Sequence, residues 1–443
     1  MKIGIRTLLL AAIALASCGG ERPAPVLNAA RGAPQFSTPP PSKDNDARAA
    51  RGLQVSPVPI DTKNLSAEDR LKVGIGSYIV NGPGLCTGCH TSAAGFLSGG
   101  TPFPLGGGKV VFARNLTPDP ATGLQLNEWQ LLDTLRTGRD RHAPGDRMLV
   151  VMPWLYFRWM SEADMHAIYA YLRAIPPVRN AVPPDNKEGL PLPAALPFPD
   201  AYTDGAVDRA LNYNGDYFAP LRGENIAPFA MPATVKGAAL ESYSTGSYIV
   251  NSMAQCSDCH TNPDRSPDQR KLNFGAWLTG GTVFDIQGPP RMIFRQVRSM
   301  SANLKGATHG FFNEPADSFE RFQNLIRSGT HVDETPPRPL GFPMAVVAKD
   351  LSVLIDSDLR AVYDFVKAAP SITGAADVER QPYAVLCAVD TDCGGGGQTC
   401  SLATHECIGK ACTSDADCGA CQTCGGGTCK APAPDSACVA SGR

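Results

Sequence analysis

An internal repeat constrains this chain more than any other feature. GSYIVNGPGLCTGCHT at 76–91 returns as GSYIVNSMAQCSDCHT at 246–261. The likeness continues past these blocks. LSGGTPF at 97–103 matches LTGGTVF at 278–284, ARNLTPDPATGL at 113–124 matches SANLKGATHGF at 301–311, and DTLRTG at 133–138 matches NLIRSG at 324–329. A duplicated unit of this length reads as a domain, and 443 residues leave room for about two or three domains. Each copy ends in a helix with apolar residues at i, i+3, i+4 and i+7: Met165, Ile168, Tyr169 and Leu172 in the first, Leu359, Val362, Tyr363 and Val366 in the second. Ser66 with Asp69 and Ser161 with Asp164 read as helix starts, and prolines at 176–177 and 370 as stops. The expected fold is mainly α, with domains at 66–180 and 238–370 joined by a Pro-rich linker over 181–237.

Each copy centres on Cys-x-x-Cys-His, as Cys86, Cys89 and His90 and as Cys256, Cys259 and His260. Two thiols three residues apart lie on nearly one helical face, where they can add to the two vinyl groups of a haem. The next residue then falls under the iron, and an imidazole there is the proximal ligand. A redox dithiol has no need of the histidine and is expected near a βαβ pattern; half a zinc site is the other alternative. The motif in register in both copies favours two covalently bound c-type haems.

The sixth ligand is chosen among several candidates. In the first copy the candidates are Met148, Met152, Met160 and Met165. Met165 falls on the buried stripe and Met160 just before that helix, so both read as packing, whereas Pro153 keeps the chain extended at Met152. In the second copy Met344, in Gly341-Phe342-Pro343-Met344, is preferred over Met292, Met300, His309 and His331. A thioether on the far face raises the reduction potential and closes the iron, which suits electron transfer. His142, His166 and His405 show no metal spacing, and Trp129, Trp154, Trp159 and Trp277 read as core or haem-packing aromatics.

These residues resemble class I c-type cytochrome domains, in particular those of the multi-haem cytochrome subunits that accept electrons from membrane-bound alcohol and related dehydrogenases. The resemblance is carried by Gly76 to Val80 ahead of Cys86, by Asn115 to Asp119 with Thr122 and Gly123, by Met152-Pro153-Trp154, and by AIYAYLRAIPPV at 167–178. It implies a small helical fold around each haem, electron transfer as the activity and Met152 as an axial ligand. Those subunits usually carry three haem domains where this chain shows two, and they lack its tail.

Both ends add separate chemistry. Lys2 and Arg6 precede a short apolar run, Leu8 to Ala16, which reads as an export signal over 1–17. Leu15-Ala16-Ser17-Cys18 resembles a bacterial lipobox, with Cys18 lipidated. Residues 18–65 then read as a disordered tether. Gly19 rather than Asp after the cysteine leans toward the outer membrane, so the expected location is the cell envelope, lipid-anchored and periplasmic or surface-exposed. At the other end, 387–443 holds ten of the fifteen cysteines, and CAVDTDC at 387–393 recurs as CTSDADC at 412–418. So glycine-rich a segment reads as a small disulfide-rich module, with an iron–sulfur site as the rival. It resembles short Cys-rich repeats of extracellular proteins.

Forty basic against forty-two acidic side chains, a net charge of −2, exclude a strong field for nucleic acid. The reading that follows is a dihaem cytochrome lipoprotein passing single electrons from a redox donor, such as a dehydrogenase subunit, to an acceptor. An electron carrier is favoured over an enzyme. Haem enzymes of the dihaem peroxidase or thiosulfate-oxidising type, and a surface binding protein acting through its tail, are the alternatives.

Overall fold

In the computed structural model, residues 44–106, 108–140, 147–157, 160–186, 232–261, 276–287, 296–333, 337–341 and 343–373 are described, with short pieces between 384 and 430. The chain divides into Met1–Ser37 and Thr38–Arg443, and all that follows belongs to the second unit. The expected signal peptide, Cys18, Trp159, Met292, His142, His405 and most of the linker and tail lie outside the described residues.

A helix α1 (Asn45–Val55) comes first. The first copy of the repeat then runs α2 (Ala67–Val80), α3 (Cys86–His90), an antiparallel hairpin of β1 (Pro102–Gly106) and β2 (Lys109–Phe112), and α4 (Glu128–Thr137). It continues with a short ladder of β3 (Arg139–Asp140) and β4 (Arg147–Met148), a single turn α5 (Trp154–Phe157) and α6 (Glu162–Ala174). The second copy repeats this order: α7 (Ala238–Tyr248), continued by a π-helical segment Ile249–Met253, then α8 (Cys256–His260), β5 (Val283–Gln287) with β6 (Gln296–Met300), α9 (Phe319–Ser328), β7 (Thr330–His331) with β8 (Arg338–Pro339), α10 (Met344–Leu351) and α11 (Asp356–Ala368). Beyond it, β9 (Ala384–Val385) joins β6, and two tail hairpins pair β10 (Thr399–Ser401) with β11 (Glu406–Ile408) and β12 (Thr423–Gly425) with β13 (Thr428–Lys430). In these hairpins Cys400 faces Cys407 and Cys424 faces Cys429, and Cys424 is disulfide-bonded.

Local chemistry sets these boundaries. The Ser66 and Ser161 hydroxyls accept from the N–H groups of Asp69 and Asp164, at 3.0 and 3.1 Å, satisfying donors that a helix start leaves open. Asn127 and Gln130 form a reciprocal box at the start of α4. Both α6 and α11 stop just short of their prolines. The apolar stripes pack inward as their spacing predicts, except that Tyr169 is half-buried and Tyr171 takes the deep position.

The first helix of each copy crosses the last in backbone contact. A Cβ built on Gly76 would lie 1.9 Å from the Ala167 carbonyl oxygen, and one on Gly246 would lie 1.9 Å from that of Ala361. Only glycine permits this approach, which accounts for its presence in both GSYIV segments.

Three expectations need correction. Residues 45–55, read as tether, form α1: Ala49 is buried, and a Cβ at Gly52 would lie 1.9 Å from the Gly74 carbonyl oxygen, so small residues let α1 nest on α2. Its arginine-rich composition hid this. Trp129 is 42% exposed rather than core, because it sits about half a turn away from Leu131 and Leu135, which hold the buried face of α4. The ordered part of the first copy also passes residue 180, since Asn186 bridges to Val110 and Asp185 accepts from the Phe112 N–H at 2.9 Å.

Replacing Gly76 by alanine is expected to destabilise the chain by about 1–3 kcal/mol, as overpacking at a backbone contact does. Urea unfolding followed by circular dichroism measures it.

Candidate haem site

Both attachment helices begin from the same unusual backbone. Leu85 and Gln255, immediately before α3 and α8, adopt left-handed conformations at φ 54° and 53°. Such a conformation is costly for side chains other than glycine and persists where surrounding structure enforces it. Here it reverses the chain between the buried end of the preceding helix and the cysteines.

The histidines are oriented identically. His90 Nδ1 lies 2.7 Å from the Arg114 carbonyl oxygen, and His260 Nδ1 lies 2.8 Å from that of Ala302. A carbonyl only accepts, so Nδ1 carries the proton and Nε2 presents a lone pair. Burial lowers the pKa of both imidazoles, although the carbonyl bonds oppose it, so both rings are held neutral. This is the tautomer and charge state that a metal-ligating histidine needs.

The thiols are not activated. Burial pushes Cys86 and Cys256 up to about 12 and raises Cys89 as well. A redox dithiol shows the opposite shift, toward thiolate. The motif is therefore poorly suited to disulfide exchange.

Cys86, Cys89, His90 and Met152 line one crevice of about 410 Å³. Its walls are apolar, with Ile79, Leu131, Leu135, Phe157 and Leu172 among them. Two thiols, a free imidazole nitrogen and a thioether around an apolar slot fit haem c. One polar end departs from this character: Arg114 donates to Asp185 at 2.7 Å and lies 3.9 Å from Asp140. No local motif announces this cluster, which residues widely separated along the chain bring together.

Met160 also lines the crevice, whereas Met165 is wholly buried in the core. Met148 and Met300 fall on β4 and β6. In the second copy Cys256, Cys259 and His260 lie on α8, and Met344 is half-buried at the start of α10, packed against the core. His309 is exposed and His331 half-buried. His166 is half-buried, with Nδ1 2.7 Å from Glu128. Trp154 and Trp277 are buried, as expected of packing aromatics.

The first crevice is completed by the second copy. Gln255, Val347 and Asp350 contribute to its lining, and the Thr87 hydroxyl, between the two cysteines, donates to Asp350 at 3.4 Å. Burial pushes the Asp350 carboxyl up to about 6.

No family model matches the chain. It is similar to the gluconate 2-dehydrogenase cytochrome c subunit of Pantoea cypripedii, at 27% identity over 70% of this chain and 61% of the relative. It is also similar to the cytochrome c subunit of the alcohol dehydrogenase (quinone) of Gluconacetobacter polyoxogenes, at 34% identity over 28% of this chain and 29% of the relative. The fructose dehydrogenase cytochrome subunit of Gluconobacter japonicus is 24% identical over 65% of this chain and 50% of its own length. The chain thus spans less than two thirds of the length of each of these relatives. All three relatives are named as cytochrome subunits of dehydrogenases.

A raised carboxyl pKa fixes the sign of a pH effect. Between the ordinary value of 3.8 and about 6 the folded chain holds the Asp350 proton more tightly than the unfolded chain, so stability falls as pH rises through that window. Asp350→Asn is expected to stabilise the protein at pH 7 by about 1 kcal/mol, discounted for the carboxyl's partial contact with solvent. The advantage vanishes below pH 4 in urea titrations across pH.

Proposed function

We propose that the chain is a dihaem c-type cytochrome that relays single electrons between a dehydrogenase subunit and an acceptor in the bacterial cell envelope. Haem would be held by Cys86, Cys89, His90 and Met152 in the first copy and by Cys256, Cys259, His260 and Met344 in the second. The observation that carries this reading is the convergence of Cys86, Cys89, Met152 and a carbonyl-oriented His90 on one apolar crevice. The same imidazole-to-carbonyl contact in the second copy supports a second haem there.

The haem supplies a one-electron couple at its iron; the protein's part is to hold and tune it. Burial keeps His90 and His260 neutral, and the carbonyls of Arg114 and Ala302 aim them. The apolar walls of the first crevice would keep water from the haem and favour its reduced, less charged state. Both Met152 and Met160 line the crevice, but Met152 precedes a proline that keeps its loop extended, whereas Met160 is packed in the interior just before α6, which favours Met152. A thioether closing each iron would suit a carrier rather than a catalyst. The lipobox at Cys18 supports a lipid anchor and, with Gly19, an outer-membrane location. The disulfide at Cys424 and the facing cysteines of the tail hairpins support a stapled module that positions or displays the protein.

Absorption spectra of the oxidised Met152→Ala and Met344→Ala variants test the ligation. Each substitution is expected to remove about half of the weak methionine–iron band and to lower the potential of one haem, while Met160→Ala leaves the band in place. An unchanged band in Met152→Ala contradicts the assignment.

A further inference from the structure

Each attachment helix is docked on the opposite copy. Thr87, between Cys86 and Cys89, donates to Asp350 of α10, and Asp258, between Cys256 and Cys259, accepts from Tyr156 of α5 at 3.3 Å. α10 begins at Met344 and α5 closely follows Met152, so the contacts are reciprocal: a residue between each pair of cysteines meets the helix next to the other copy's methionine. Gln255, adjacent to Cys256, reaches far enough to line the first crevice.

A second set of crossed contacts surrounds this one. The Tyr78 hydroxyl donates to Asp358 at 2.7 Å and accepts from the Ile355 N–H at 3.0 Å, at the start of α11. The Tyr248 hydroxyl donates to Asp164 at 2.6 Å and accepts from the Ser161 N–H at 2.8 Å, at the start of α6. The tyrosine of each GSYIV segment thus ties down the final helix of the other copy. Both rings are buried, and burial holds both phenols well above their ordinary pKa, so they stay neutral donors. α1 reinforces one side through Arg48, which donates to Asp358 at 2.8 and 2.5 Å.

We propose that these crossed contacts hold the two haem sites edge to edge, so that an electron passes between the haems within one chain, and that Tyr78 and Tyr248 are positioning residues for that transfer. The inference rests on the dihaem reading and adds to it the route and the residues that set its length. The step balances simply: a ferrous iron gives up one electron and becomes ferric, the opposite ferric iron becomes ferrous, and no bond or proton changes hands. Its rate depends steeply on separation, so the interface that fixes the separation fixes the rate.

The test uses the full holoprotein, as wild type and as the Tyr78→Phe/Tyr248→Phe variant, which keeps both rings and deletes both hydroxyls. The wild type is expected to show a bisignate Soret circular dichroism couplet from two coupled haems. After a substoichiometric pulse of reductant, its electrons should redistribute at a rate independent of protein concentration. The double variant is expected to lose the couplet and redistribute more slowly, with haem content and the methionine–iron band unchanged. Where the double variant does not fold, the single variants are read in the same way. Lower stability with couplet and rate intact makes the tyrosines merely structural and overturns their positioning role. A wild type with two haems but no couplet, or with a rate that rises with concentration, overturns the edge-to-edge arrangement. Fewer than two haems per chain in a pyridine haemochrome assay overturns the dihaem reading, and this proposal with it.

Discussion

The backbone contact between the first and last helices of each copy is the constraint from which the rest follows. With no side chain at Gly76 or Gly246, α2 lies directly on α6 and α7 directly on α11. That crossing fixes where the first helix ends, and the left-handed residue at 85 or 255 then turns the chain so that the cysteines and histidine face the space beside the crossing. The loop carrying Arg114 or Ala302 supplies the carbonyl that aims the imidazole. Helix packing, turn geometry and ligand orientation are therefore links in one chain of cause.

Buried charge is handled differently on the two sides of the interface. Asp358 is met by both Arg48 and Tyr78, which together offset the loss of hydration that an ion pair suffers in the interior. Arg48 in turn keeps its charge: burial opposes it, but the hydrogen bond and charge of Asp358 prevail and raise its pKa. The Asp164 carboxylate accepts from Tyr248, with the Ser161 side chain beside it, and burial raises its pKa. Duplication thus supplied the tyrosine–carboxylate contact twice, whereas the arginine that reinforces one of them comes from α1, which precedes the repeat.

Much of the site was legible because its residues are close in sequence or repeat. Cys-x-x-Cys-His, the capping serines and the apolar stripes are local patterns, and they led to Cys86, Cys89, His90 and the final helices. The partners of those residues were not legible. The carbonyl of Arg114 has no side-chain signature, and Asp140, Asp185 and Asp350 enter the crevice through long-range packing. The duplicated Tyr78 and Tyr248 were visible as a match, but a one-dimensional repeat does not reveal that each reaches into the opposite copy. Small residues in α1 announced its nesting only weakly beneath a polar composition. Lys305, which stands where the first copy has Thr117, is buried, and its pKa is pushed down to about 8 by that burial; substitution within an aligned loop gave no hint of it.

The central claim is that both copies carry haem through their own cysteine pairs. Mass spectrometry of proteolytic peptides from the purified full-length holoprotein tests it most directly. The account predicts haem on the peptide holding Cys86, Cys89 and His90 and, separately, on the one holding Cys256, Cys259 and His260. Unmodified cysteines in either peptide would contradict it.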